Sequence, residues 1–351
     1  MSMVTLKDIA AHVGVSISAV SLVLNDRGEG RVRPDVAVRI RTVADELGYA
    51  PNLLARGLKT NQSHIIGLLS DQVASVPFAG QMLGGAQVSA AEEDFLLIVV
   101  DTAGNRDLDG TAVKTLLQRN IEALIVATDF HREVDLPMTP RAMPVVVLDG
   151  LPRDRSAVAD WVIPDETGGA YAATIHLILA GHRRIAFCNV EDERFVARTL
   201  RRAGYEAALS AAGLTPDPAL IVDASDPSTA AGRVQARRLL STHDRPTAVF
   251  CFSDQIAFGF YQVAQELGLR IPDDLSIIGF DDQPFIADSL LPGLTTVRLP
   301  HRDMGTWAAR QAIARLRGDA PSGPVSTQMP CPLVERASVA PPSPEGGAPR
   351  T

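Results

Sequence analysis

Apolar positions recur at helical spacing through about the first 50 residues, and no stretch there alternates as a strand would. Leu6, Ile9, Ala10 and Val13 form one stripe. Ala19, Val20, Val23 and Leu24 form a second, and Val36, Ile40, Val43, Ala44 and Leu47 a third. The punctuation between them agrees. Thr5-Leu6-Lys7-Asp8 reads as a capping box, Gly14 as a stop that tolerates positive φ, and Ser16 as a cap for the second helix. Pro34 suits the first turn of a third helix, which Gly48 ends. Past residue 64 the pattern changes to short apolar runs: 65–69, 96–100, 123–126, 145–148, 185–187, 248–251 and 276–280. Helical stretches such as 169–180 and 254–267 lie between them. Apolar strands alternating with helices predict parallel sheets covered on both faces, in more units than one compact sheet holds. The expected fold class is therefore an all-α head followed by an α/β body of two doubly wound parallel-sheet lobes.

Length and composition agree with this division. The chain has 351 residues, 46% of them hydrophobic, enough for two or three domains with ample cores. No apolar run reaches the ~18 residues that span a bilayer, and the N-terminus lacks the basic-then-apolar layout of a signal peptide. The expectation is a cytoplasmic protein with no membrane partner. Cys188, Cys251 and Cys331 lack metal-site or disulfide-framework spacing and are expected to be buried free thiols. The net charge of −8 argues against nucleic acid, but through residue 62 eight basic residues face six acidic ones. A mildly basic head on an acidic body is compatible with DNA binding confined to the head, or with ordinary variation in surface charge. The seven histidines are scattered, and there is no P-loop, G-x-S-x-G or dinucleotide fingerprint, so neither an enzyme nor a cofactor is expected.

Helix, glycine turn, helix is the layout of a helix-turn-helix, and equally of a small structural bundle. The residues themselves go further. Val4-Thr5-Leu6-Lys7-Asp8-Ile9-Ala10, Gly14-Val15-Ser16 and Val20-Ser21-Leu22-Val23-Leu24-Asn25 resemble the signature of the lac repressor family of transcriptional regulators. Leu47 to Asn52 and Ala55-Arg56-Gly57-Leu58 extend the likeness. The resemblance implies that Ile17, Ser18 and Leu22 read base edges. Thr5, Ser16, Ser21 and Asn25 would contact phosphates, which position the head without specifying sequence. Ser16 can be a helix cap as well. Leu22 departs from the arginine common in relatives, so it offers apolar contact where Arg would bind guanine. Arg33 stands where relatives often carry a Ser or Thr cap. Residues 51–61 resemble the family's hinge helix, with Asn52, Ala55, Leu58 and Lys59 on DNA. Leu58 matches the leucine that wedges between bases in the minor groove; the alternative is an ordinary linker residue.

Residues 62–340 resemble the family's periplasmic-binding-protein-like body, on Gly181-His182-Arg183-Arg184-Ile185, Gly204 to Leu209, Ser253-Asp254, Ile278 to Asp282 and Leu294 to Val297. In that fold a ligand lies between the lobes at the carboxyl ends of the strands. Asp281 matches the family's ligand carboxylate and Arg201 its ligand arginine. Phe78 matches a wall residue of the first lobe, while Asp149 ends a strand and could reach the cleft. Capping, a surface ion pair and core packing are the plain alternatives for Asp281, Arg201 and Phe78. Ser253, in place of the usual Asn, and Asp254 are further candidates, although Asp254 opens a helix and suits capping equally. Pro227 occupies a position, five before Gly232, where relatives place an aromatic. A purine becomes less attractive for lack of that platform, and a sugar or sugar derivative is the default effector.

These likenesses imply a division into a DNA-binding head (1–50), a hinge (51–61), a ligand-sensing and dimerisation body (62–340) and a disordered tail (341–351). The expected function is a repressor that binds a pseudo-palindromic operator in double-stranded DNA as a homodimer and is released by a small inducer. The alternative is a regulator whose ligand strengthens DNA binding, as in the purine and phosphoprotein-dependent relatives. The Pro/Gly-rich tail carries no leucine heptad, which favours a dimer over a tetramer.

Overall fold

The computed structural model describes residues 4–49, 62–74, 76, 79–140, 142–154, 156 and 158–343. Hinge residues Asn52, Ala55, Leu58 and Lys59, the wall candidate Phe78, and tail residues 344–351 lie outside them. The chain divides into two compact units, Met1–Ser63 and His64–Thr351.

In the first unit, α1 (Leu6–Val13), α2 (Ile17–Leu24) and α3 (Pro34–Glu46) fall where the periodicity places them. Gly14 takes φ +75° after α1 and Gly48 φ +65° after α3, a conformation that costs other residues strain. Ile9, Ala10, Val13, Val20, Val23, Ile40 and Ala44 form the buried centre, one side chain or two from each turn of the stripes. At the start of α1, the Asp8 carboxylate accepts from both the Thr5 amide (2.8 Å) and the Thr5 hydroxyl (2.7 Å).

The second unit contains two six-stranded sheets. The N-terminal lobe comprises β1 (Ile65–Asp71), α4 (Gly80–Glu92), β2 (Leu96–Asp101), α5 (Asp109–Gln118), β3 (Ala123–Val134), β4 (Val145–Pro152) and β5 (Asp160–Pro164). Its sheet runs β11-β5-β4-β3-β1-β2. The C-terminal lobe comprises α6 (Glu166–Leu179), β6 (Ile185–Val190), α7 (Val196–Ala211), β7 (Ile221–Ala224), α8 (Thr229–Leu240), β8 (Ala248–Cys251), α9 (Asp254–Glu266), β9 (Ser276–Asp281) and β10 (Thr295–Arg298). Its sheet runs β12-β10-β9-β8-β6-β7. The chain then returns: α10 (His301–Arg317) and β11 (Ser326–Met329) complete the first lobe, and β12 (Leu333–Val334) the second.

The links β5–α6, β10–α10 and β11–β12 therefore pass between the lobes. Among the described residues all strand pairs are parallel except β10 with β12. Apolar clusters cover both faces of each sheet, as the unbroken apolar runs require. Helices α4 and α10 meet at Gly85 and Gly305, where a Cβ on either residue would strike the backbone of the other helix. Among the described residues no single helix is long and apolar enough to cross a membrane.

Candidate functional site

In the head, α2 leaves one face exposed. Ile17 is 48% exposed, although a residue of its type normally seeks burial, and Ser18 beside it is exposed. Ser21 and Leu22 are half-exposed on the next turn. The Ser16 hydroxyl accepts from the Ala19 amide (3.1 Å) and caps α2, leaving its N-terminus solvent-facing. Asn25 closes the helix by donating to the Ser21 carbonyl (2.7 Å). Thr5 and Asn25 are exposed beside this surface. Arg33 precedes α3 without capping it; its guanidinium pairs with Asp35 instead (3.2 Å).

In the body, the carboxyl ends of the strands of both sheets bring a group of charged and aromatic side chains together. Arg201, on α7, is 3% exposed. Its Nε donates to Glu166 (2.7 Å), its Nη1 to the Phe252 carbonyl, and its Nη2 lies 3.6 Å from Asp281. The guanidinium is stacked between rings, 3.6 Å from the Phe280 centroid and 4.3 Å from that of Phe252. Arg201 is thus no surface ion pair. It organises Asp281, which ends β9 at φ +108° and also accepts from the Gln283 side chain (2.7 Å).

The adjoining candidates are bonded within the lobe. The Asp254 oxygens accept from the Thr296 hydroxyl and the Gln283 amide, both at 2.6 Å. The Ser253 hydroxyl accepts from the Ile256 amide (3.2 Å) to cap α9 and donates to the Pro227 carbonyl (3.1 Å). Both side chains brace the floor of the site.

Asp149 faces them from the other lobe. It does not end its strand, as the apolar run suggested, but sits inside β4 at φ +61°, at the irregularity between Leu148 and Gly150 where pairing with β3 shifts register, and is 2% exposed. Its carbonyl accepts from Thr128 (2.6 Å), and its Oδ2 lies 4.0 Å from the Nε2 of His301. Its Oδ1 has no hydrogen-bond partner. Burial, with Glu166 and Asp129 nearby, pushes its carboxyl well above the usual range. Arg132 on β3 pairs with Asp71. Phe130 of the N-terminal lobe meets Phe195 of the C-terminal lobe (centroids 4.3 Å), and Phe195 meets Phe252 edge-on (5.8 Å). Aromatic rings therefore bridge the lobes, and the inference from Pro227 that a platform is missing holds only for that position.

Glu166, Phe130, Phe195, Phe252 and Asp129 were not singled out from the sequence. Asp129 and Phe130 follow an apolar run with only Thr128 between, close to the signal that marks Asp149. Glu166 carries a weaker one, an acid at the start of a helix after Pro164.

These charges set a pH dependence. Burial pushes the Asp281 carboxyl up to about 7 against the pull of Arg201, and that of half-buried Asp129 up to about 6. Such groups hold protons in the folded chain that the unfolded chain has released. Their contribution is fully present below about pH 4 and is lost as pH rises towards about 7. Carboxylates held down by a partner, such as Asp274 by Arg270, complete their opposite contribution below that window. The melting temperature of the body in the ligand-free chain is expected to fall between about pH 5 and about pH 8. Asp129→Asn should make that fall shallower. A wild-type melting temperature that stayed flat or rose would contradict the assignment.

Known proteins share this architecture. The description "Bacterial regulatory proteins, lacI family" matches residues 5–52, and "Periplasmic binding protein-like domain" matches residues 174–339. A ribose operon repressor of Haemophilus influenzae is 34% identical over 90% of this chain and 92% of its own length. An HTH-type transcriptional repressor PurR of Vibrio atlanticus is 32% identical over 96% and 99%. The structure of a lac repressor dimer bound to operator and the anti-inducer ONPF superposes with a TM-score of 0.78 at 25% identity, covering 97% of this chain and all of that one. A helix-turn-helix head, a two-lobed body and relatives that are repressors, not enzymes, leave one assignment: the chain belongs to the lacI family of bacterial transcriptional repressors.

Proposed function

We propose that the protein binds a pseudo-palindromic operator as a homodimer and is released from it by a small sugar-like inducer held between the lobes. The observation that carries this reading is the arrangement at the cleft. Asp281 and Arg201 of one lobe face Asp149 of the other, and aromatic rings bridge the same two lobes. A polyol offers hydroxyls for such carboxylates and an apolar face for such rings. The likeness to a ribose operon repressor favours a sugar. A ligand shifts DNA binding only if it binds two body conformations differently, and links passing between the lobes give the body a means to change the lobe angle. Residues 51–61 lie just before β1 in the sequence, so movement of the N-terminal lobes in a dimer would part the two hinges.

The reading is tested by fluorescence anisotropy on operator-containing duplex, with a panel of neutral and substituted sugars. A sugar that lowers operator affinity while calorimetry shows it binding the body supports the proposal; tighter operator binding makes the ligand a corepressor. That second reading draws on the likeness to the repressor named PurR. Two chains per duplex by sedimentation are expected, and one or four would overturn the dimer.

Leu58→Ala is expected to weaken operator binding and reduce DNA bending while leaving ligand affinity near wild type, because a wedge acts only on DNA. Unchanged bending would remove the wedge from the proposal.

A further inference from the structure

We propose that the effector of this cleft carries a protonated amine whose N–H groups are received by Asp149. The inference rests on the ligand-sensing reading above and names the chemical class of its ligand.

The buried positive charge of the cleft is already engaged. Arg201 is held by Glu166, Asp281 and the Phe252 carbonyl, between two rings. Arg132 is held by Asp71. What the cleft leaves open is the opposite kind of capacity. Asp149 Oδ1 is buried without a partner, and so is Oδ1 of Asn189 near the carboxyl end of β6. The Asn189 amide nitrogen donates to the Arg198 carbonyl (3.2 Å), which fixes its oxygen as the open acceptor. The Asn189 oxygen can only accept, and the Asp149 oxygen accepts whenever its carboxyl is ionised. A neutral hydroxyl would satisfy one of them while bringing lone pairs that need donors of their own. An ammonium brings three donors and no acceptor.

Charge points the same way. The groups that act electrostatically on Asp149 are Asp129 on β3, Glu166 on α6, Asp281 on β9 and Arg201 on α7. Arg132 on β3 also senses it, and His301 on α10 stands 4.0 Å from it. Acids predominate, and burial pushes the carboxyls of Asp149, Asp129 and Asp281 towards the protonated form, Asp281 to about 7. Without ligand, protons supply the missing positive charge. A bound ammonium would replace them, so binding would release protons and strengthen as pH rises, up to the point where the amine itself loses its proton.

The test uses the intact chain and three matched pairs of probes: D-glucosamine with D-glucose, D-galactosamine with D-galactose, and D-mannosamine with D-mannose. Calorimetry at about pH 7, where these amines are still largely protonated, is expected to show at least one amine bound about tenfold or more tightly than its parent, the usual scale for a charge-assisted bond. That advantage should shrink towards about pH 5.5 as the carboxyls take up protons, and vanish in Asp149→Asn. Thermal unfolding of ligand-free Asp149→Asn at about pH 8 should match or exceed wild type, because a buried carboxylate with an unpartnered oxygen is removed. Parent sugars that bind as well as their amines would overturn the amine while leaving the sugar reading in place. An advantage that persists in Asp149→Asn would overturn the role of Asp149. A markedly lower melting temperature for Asp149→Asn would show the carboxylate to be bonded within the protein, with the same consequence. No binding by any probe would overturn both the amine and the sugar.

Discussion

Arg201→Ala is expected to destabilise the body by about 3–5 kcal/mol, the usual result of stripping one partner from a buried ion pair. Glu166 is buried and Asp281 largely so, and the guanidinium is the cation each of them meets: Glu166 at 2.7 Å and Asp281 at 3.6 Å. Without it both carboxylates face low dielectric unpaired, and Phe252 and Phe280 lose the plane that fills the gap between them. Asp281 should then titrate still higher, since the pull of Arg201 opposes its rise. Urea unfolding of the intact chain, followed at the transition of the body, reads the loss directly. A double variant, Arg201→Met with Glu166→Gln, should recover part of it, because the pair is then removed together and only Asp281 keeps an unmet charge. A loss below about 1 kcal/mol in Arg201→Ala would mean that water enters and solvates the carboxylates. The cluster would then be no dry anchor for Asp281.

The second large effect is expected in the head. Ile40 is fully buried against Ile9 and Val20, and few other side chains in the unit are. Ile→Ala in a core costs about 2–5 kcal/mol, while a core this small supplies roughly 3–5 kcal/mol in all. Ile40→Ala should therefore leave the free head largely unfolded near body temperature, and operator affinity should fall by about a hundredfold, because binding must then refold it. The body has its own cores, so its melting transition and ligand affinity should stay at wild-type values. Anisotropy on operator and calorimetry with ligand separate the two readouts. Operator affinity within about threefold of wild type would mean that DNA contacts restore the head at little expense. Joint loss of ligand binding would mean that the two units do not fold independently.

Both expectations depend on features legible to different degrees in the sequence. The three head helices were readable to the residue at their starts, because caps and stripes are local: Thr5, Ser16 and Pro34 sit where the backbone needs them. The long apolar strands were equally clear. The strands β5, β7, β10, β11 and β12 escaped because they are short or lie at sheet edges, and strand pairing there is set by partners far along the chain. Arg201 and Asp281 were marked as candidates through family likeness. That Glu166 would hold Arg201 could not be read, since the two lie 35 residues apart on different helices.

The sequence by itself determined the division into head and body, the alternation that makes two parallel sheets, and the family. Each depends on local pattern or contiguous motif, whose physics acts over one or two turns of helix or one strand. Only the tertiary structure decided what the site's charges do. It put Glu166 against Arg201, turned Asp254 and Ser253 inward as braces, brought Phe130 and Phe195 together from opposite lobes, and left Asp149 buried with an open oxygen. Charge and desolvation depend on distances through space and on the exclusion of water. Both arise where chain segments remote in sequence pack together.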